Sequence, residues 1–165
     1  MRALKWLDKN FEECILMIFL ALMTVIMGIQ ITMRYVFNNS LVWSEELTRY
    51  LFIWSTFISL GFCVKRSLSI KIDQFTNMIP DTSIARKIIT FAVKVVMLVF
   101  FIYVFRHSID VVKAAIASGQ RSPAMGVPMY IVQSSTVVGF FLAILRTIQC
   151  LIEEIMSFRS AKPIE

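Results

Sequence analysis

Hydrophobic and polar positions in this chain fall into long blocks, with little fine alternation. Residues 15–33 and 127–145 carry no charge, residues 47–64 contain only Arg49, and residues 88–105 contain only Lys94. At about 1.5 Å of rise per residue, a helix through each block just spans a hydrocarbon core of about 30 Å. The pattern therefore predicts an all-α membrane protein with four transmembrane helices. Their approximate limits are 14–36, 45–64, 86–106 with an outward extension to about 118, and 127–147. The first block is too long for a signal-peptide core and has no small-x-small cleavage site after it, so it reads as an uncleaved anchor. The remaining segments are short, which makes residues 1–165 a single membrane domain.

Weaker patterns flank the blocks. Leu4, Leu7 and Phe11 share one helical face ahead of the first span, and Trp6 suits the headgroup region, which predicts a short interfacial amphipathic helix. Leu68, Ile72, Phe75 and Ile79 recur at helical spacing between the second and third spans and predict a second one, although 69–73 also alternates as a strand does. Pro80-Asp81 ends that element and caps the third helix. Ser44 is placed to cap the second helix, with Glu45 and Glu46 in its first turn, where the helix dipole favours negative charge. Nothing interrupts a helix from Arg106 to Ser118, and Gly119 is a natural C-terminal cap. The segment 120–128 holds Pro123, Gly126 and Pro128 and reads as a loop, with Pro128 suited to the first turn of the last helix.

Composition agrees with the blocks. Of 165 residues, 58% are hydrophobic, well above a soluble domain. The net charge of +6 is distributed unevenly. With the N-terminus cytoplasmic, the inner segments hold Arg2, Lys5, Lys9, Lys65, Arg66, Lys71, Arg86, Lys87, Arg146, Arg159 and Lys162. The outer loops then hold Arg106, Lys113 and Arg121, with Arg34 and Arg49 at the outer lips and Lys94 within the third helix. The positive-inside rule places both termini in the cytoplasm and explains the basic balance, so no nucleic-acid partner is needed. Cys14, Cys63 and Cys150 then lie at cytoplasmic helix ends, without metal-ligand spacing, as reduced packing residues.

Candidate chemistry is sparse. His107, Ser108 and Asp110 cannot form a triad along one helix, because only His107 and Asp110 are i,i+3 neighbours. A single histidine also excludes a bis-histidine haem anchor. Enzymatic activity, a cofactor and a metal site are therefore not expected. Gln133, Ser134, Ser135, Thr136 and Gly139 form a small polar patch suited to helix packing. Lys94 either snorkels to the inner interface or meets another helix or a partner.

The polar groups that stand out lie at the outer lip. At about 100° per residue, Glu45, Arg49, Thr56, Ser59 and Cys63 share a stripe of the second span, the mark of a protein-facing seam. Glu45 and Arg49 are placed to pair at i,i+4, and Arg34 can reach them from the first helix. Such a network closes the helical hairpin, docks another protein or binds an ion or substrate directly.

These residues also resemble a known family. The elements Arg34-Tyr35-x-Phe37-Asn38, Trp43-x-Glu45-Glu46-Leu47 and Arg49-Tyr50-x-Phe52-x-Trp54 resemble the small, DctQ-like membrane subunit of TRAP (tripartite ATP-independent periplasmic) transporters. The segment Ser122-Pro123-Ala124-Met125-Gly126-Val127-Pro128-Met129-Tyr130 is similar to that family's loop into its last helix. One position departs: Ser69 stands where the family often has histidine, ahead of Ile70-Lys71-Ile72-Asp73. The resemblance implies a multi-pass protein of the bacterial inner membrane and a non-catalytic subunit. It would brace a large membrane subunit that holds the substrate and sodium sites. A periplasmic binding protein would deliver an organic acid, such as a dicarboxylate or sialic acid. On that view Arg34, Asn38, Trp43, Glu45, Glu46 and Arg49 build the outer lip, as partner interface or structural ion network. The rival reading is a homo-oligomeric, proton-coupled exporter using Glu45 and Glu46. It expects a glutamate deeper in the first span, and none is present.

Overall fold

The computed structural model describes residues 2–76 and 84–160, with side-chain surroundings for 12–64, 88–89 and 91–156. Four helices make up the described chain: α1 (Arg2–Tyr35), α2 (Val42–Thr76), α3 (Ile84–Ser118) and α4 (Met129–Ser160). Their apolar portions, Glu12–Tyr35, Val42–Val64, Phe91–Ser118 and Met129–Met156, are each long and apolar enough to cross a membrane. The large hydrophobic residues left exposed, such as Leu20, Val25, Ile31, Val96 and Phe100, fit an apolar solvent.

Several boundaries differ from the sequence expectations. Residues 2–13 and 65–76 are helical but run unbroken into the spans, because no proline or other strong breaker separates them. The strand-like alternation at 69–73 is overridden in the same way. Ser44 is the third residue of α2 and not its cap; its hydroxyl donates to the Leu41 carbonyl at 2.7 Å. Gly119 does end α3, with φ at +60°. Pro80-Asp81 and Ile79 lie outside the described residues, as do the surroundings of Leu4, Trp6, Leu7, Phe11, Leu68, Ser69, Ile72 and Phe75.

The helices pack in the order α1–α2–α4–α3. α4 lies along both α2 and α3, α1 rests on α2 alone, and α2 barely meets α3. Central position follows from the face α4 presents. Ser135, Ala143 and Thr147 are fully buried, and Gly139 lies between them on the same stripe. The hydroxyls of Ser135 and Thr147 donate to their own helix, at Val132 (2.6 Å) and Ala143 (2.8 Å), which leaves a flat, small surface. A Cβ on Gly139 would lie 2.5 Å from the Phe57 carbonyl oxygen, so only glycine permits this approach of α2. Val64, Phe101 and Ala143 form the apolar centre, with Leu60, Met97, Phe140 and Ile144 packed against them. The Phe140 ring lies 6.1 Å from Phe57 and 6.3 Å from Phe101, tilted against both.

Candidate functional site

Residues 36–41 and 119–128 join helices at one end of the bundle, the lip; the start of α1 and the end of α4 lie at the other. At the lip, α1 ends in a tight turn. Asn38 adopts the left-handed conformation, φ 51°, which asparagine tolerates better than most residues. The Asn39 amide then donates back to the Met33 carbonyl at 3.0 Å, and the chain re-enters as α2.

Near the start of α2 the two adjacent carboxylates take different directions, Glu45 in the first turn and Glu46 just after it. Glu46 points into the bundle and is 8% exposed. Its Oε2 accepts the backbone amides of Ala124 (3.1 Å) and Met125 (2.8 Å), while Oε1 accepts the Tyr50 hydroxyl at 2.5 Å. The Glu46–Tyr50 pair is an i,i+4 contact on the helix face opposite the polar stripe. The loop thus held is ordered by its own bonds. Ser122 and Val127 are paired through a 2.9 Å bond, and the Gly126 amide donates to the Ser122 carbonyl at 3.1 Å. Gly126 takes φ +67°, a conformation that side chains resist.

Glu45 is exposed and turns toward α1, where Oε1 accepts the Gln30 side-chain amide at 2.7 Å. Gln30 is 5% exposed and sits at the α1–α2 contact. The Glu45–Arg49–Arg34 network of the sequence reading is not formed. Both arginines are exposed, and among the described residues neither makes an ion pair. Glu45 is engaged by Gln30 instead. Trp43 is 43% exposed beside them. The polar stripe of α2 follows Arg49 outward, with Thr56 and Cys63 exposed and Ser59 half-buried. Its first member, Glu45, is the part that meets α1.

Two further ion pairs occupy the opposite end. Arg146 on α4 donates from Nε to Glu12 Oε1 on α1 at 2.8 Å, both side chains being under a tenth exposed. Arg146 also donates from a terminal nitrogen to Gln149 at 2.7 Å. The pair crosses α2 at Gly61, where an added Cβ would lie 3.0 Å from Glu12 Oε1. It links helices whose backbones do not otherwise approach. Lys94 meets Glu154 of α4, the interhelical contact that was one of the expectations for this lysine.

Gln30, Tyr50, Glu12 and Glu154 were not singled out by sequence reasoning. The Glu46–Tyr50 spacing was available as a signal; the Glu12–Arg146 partnership, 134 residues apart, had none. His107 contacts Tyr103, with ring centroids 4.4 Å apart, and Ser108 donates to Val104, so the two share no hydrogen bond with Asp110. Among the described residues no three His, Cys, Asp or Glu side chains gather as a metal site.

Comparison with known proteins fits this geometry. Residues 23–156 match the model of the DctQ family, described as the DctQ component of tripartite ATP-independent periplasmic transporters. The chain is 30% identical over 152 residues to the isethionate TRAP transporter permease protein DctMQ of Oleidesulfovibrio alaskensis, covering 88% of this chain and 24% of that protein. It is 32% identical over 71 residues to the C4-dicarboxylate TRAP transporter small permease protein DctQ of Vibrio cholerae, covering 43% of this chain and 31% of the relative. It is 30% identical over 81 residues to the sialic acid TRAP transporter small permease protein SiaQ of the same organism, covering 49% and 47%. The chain thus spans less than half the length of each of these relatives. With its match across four apolar helices, the chain belongs to the DctQ family, the small membrane subunits of TRAP transporters, and is a multi-pass protein of the bacterial inner membrane.

Proposed function

We propose that this chain is a non-catalytic brace within a TRAP-type secondary transporter. It packs against a large permease subunit that holds substrate and sodium, while a periplasmic binding protein delivers an organic acid. Both termini lie in the cytoplasm, and the lip built by Arg34, Asn38, Trp43, Glu45, Glu46 and Arg49 faces the periplasm.

One observation carries this reading: charge is confined to the two ends of the bundle and is used there structurally. Residues 14–33, 50–64, 95–105 and 129–145 contain no acidic or basic side chain. A carrier places ionisable groups and broken helices near the midplane, and these four helices are unbroken. The outward polar stripe of α2 also favours a protein neighbour over lipid. In the DctMQ relative, the region similar to this chain is about a quarter of one longer permease polypeptide. That arrangement favours a large permease as the neighbour. The exporter alternative needs Glu45 or Glu46 free to exchange a proton during transport, whereas Glu46 is held by two amides and a hydroxyl and Glu45 accepts the Gln30 amide.

The test is affinity capture of the tagged chain from its native membranes in mild detergent. A much larger polytopic protein recovered in near-equal amount is the expected result. A homogeneous homo-oligomer that transports by itself would overturn the proposal.

A further inference from the structure

The lip presents an apolar surface that the brace role does not explain. Around the α1–α2 turn, Tyr35 is 77% exposed, Val36 70%, Phe37 64%, Val42 68% and Trp43 43%. These residues close the apolar portions of α1 and α2, which end at Tyr35 and begin at Val42. They therefore lie at the level where hydrocarbon gives way to headgroups, and where tyrosine and tryptophan concentrate. The turn is rigid, its shape fixed by left-handed Asn38 and by the Asn39–Met33 hydrogen bond.

The charges of the lip are sorted in a way that identifies the partner. Glu46 is buried in the loop latch, and Glu45 is engaged by Gln30. The Arg34 guanidinium, one residue from Tyr35, is exposed and makes no ion pair among the described residues. Beside the exposed polar side chains of Asn38, Asn39 and Ser40 and the Gln30-bound Glu45, the outward surface is apolar, aromatic and basic. That combination complements the phosphate and upper acyl region of a phospholipid layer. An acidic protein surface would match the arginine but not the five apolar side chains around it.

We infer that the α1–α2 turn is a membrane-interface anchor, with Tyr35, Phe37 and Trp43 seated among phospholipid headgroups and Arg34 bound to lipid phosphate. By fixing the height of the lip, the anchor sets where α2 and the loop latched to Glu46 sit relative to the bilayer surface. This assignment concerns lipid contact and stands whether or not the chain braces a large permease.

The experiment uses the chain as recovered from membranes, with whatever partner accompanies it, in vesicles containing anionic phospholipid. Trp6→Phe and Trp54→Phe leave Trp43 as the only tryptophan. Its fluorescence is then quenched by phospholipids brominated either near the headgroup or near the chain ends, and by aqueous iodide. Stronger quenching by the shallow bromines than by either other quencher is expected. Arg34→Gln is expected to lower the turn's partitioning into that layer roughly fivefold, the weight of one basic residue at an anionic surface, and Arg34→Lys to restore it. Quenching mainly by iodide, mainly by the deep bromines, or by none of the three would overturn the anchor; the last would mean that protein covers Trp43. A second measurement guards against a tryptophan variant that fails to fold. Phe37→Cys, in a chain with Cys14, Cys63 and Cys150 changed to serine, is labelled with an environment-sensitive dye and read with the same quenchers.

Discussion

Glu46 accepts the Met125 backbone amide at 2.8 Å and so ties the start of α2 to a loop 79 residues further along the chain. A carboxylate holding two amides and a hydroxyl makes bonds of the stronger, charge-assisted kind. The two sequence segments that carry the family resemblance, around Glu45-Glu46 and around Pro123, are thereby parts of one structure.

Removing that carboxylate should loosen the loop without unfolding the helices. Glu46→Ala is expected to cost about 2 kcal/mol or more, since hydrogen bonds to charged groups contribute about 1.5–3 kcal/mol. Limited proteolysis within 119–128 should speed up accordingly. Tyr50→Phe removes only the hydroxyl contact and should have the smaller effect. Equal cleavage of the Glu46→Ala and parent chains would count against the latch.

The Glu12–Arg146 pair should behave as a buried ion pair does. Losing either partner alone is expected to destabilise the bundle by about 3–5 kcal/mol, because the survivor stays buried and uncompensated. Replacing both with methionine should recover most of that loss. Unfolding in mixed micelles, run as a double-mutant cycle, checks this; additive losses would show that the residues do not act together.

Lys94 and Glu154 allow a test by exchange. Lys94→Met should weaken the α3–α4 contact, and Lys94→Glu combined with Glu154→Lys should restore it, because the pair spans two helices of similar exposure. Disulfide trapping between cysteines introduced on α3 and α4 would report the contact. Failure of the exchange, with both single variants harmless, would assign the lysine to lipid.

Two glycines should respond oppositely to alanine. Gly139→Ala is expected to cost about 1–3 kcal/mol, since the new methyl meets Phe57 backbone that cannot turn aside. Gly28→Ala, with open space around its Cβ position, should be neutral or stabilise α1 by up to about 1 kcal/mol. Thermal unfolding of the two variants in one detergent distinguishes them.

How far the sequence carried this structure depends on distance along the chain. The position of Glu45 in the first turn of α2, the Gly119 cap and the unbroken run of α3 to Ser118 each follow from residues within a turn or two of one another. The Ser44 cap was misplaced because serine three residues into a helix can bond backward to Leu41 as readily as it caps. The Glu45–Arg49 pair was expected from spacing alone, and spacing does not register that Gln30 competes for the same carboxylate from another helix.

By itself the sequence determined four spans and the confinement of charge to their ends. Those features answer to hydrocarbon thickness and helix rise, which act on each segment independently. The tertiary structure alone decided that α4 is central, that the polar stripe of α2 faces out, and that Glu12 crosses Gly61 to reach Arg146. Which faces meet depends on how small residues such as Ser135, Gly139 and Ala143 let backbones approach. That choice is made between helices, where no periodicity within one of them can record it.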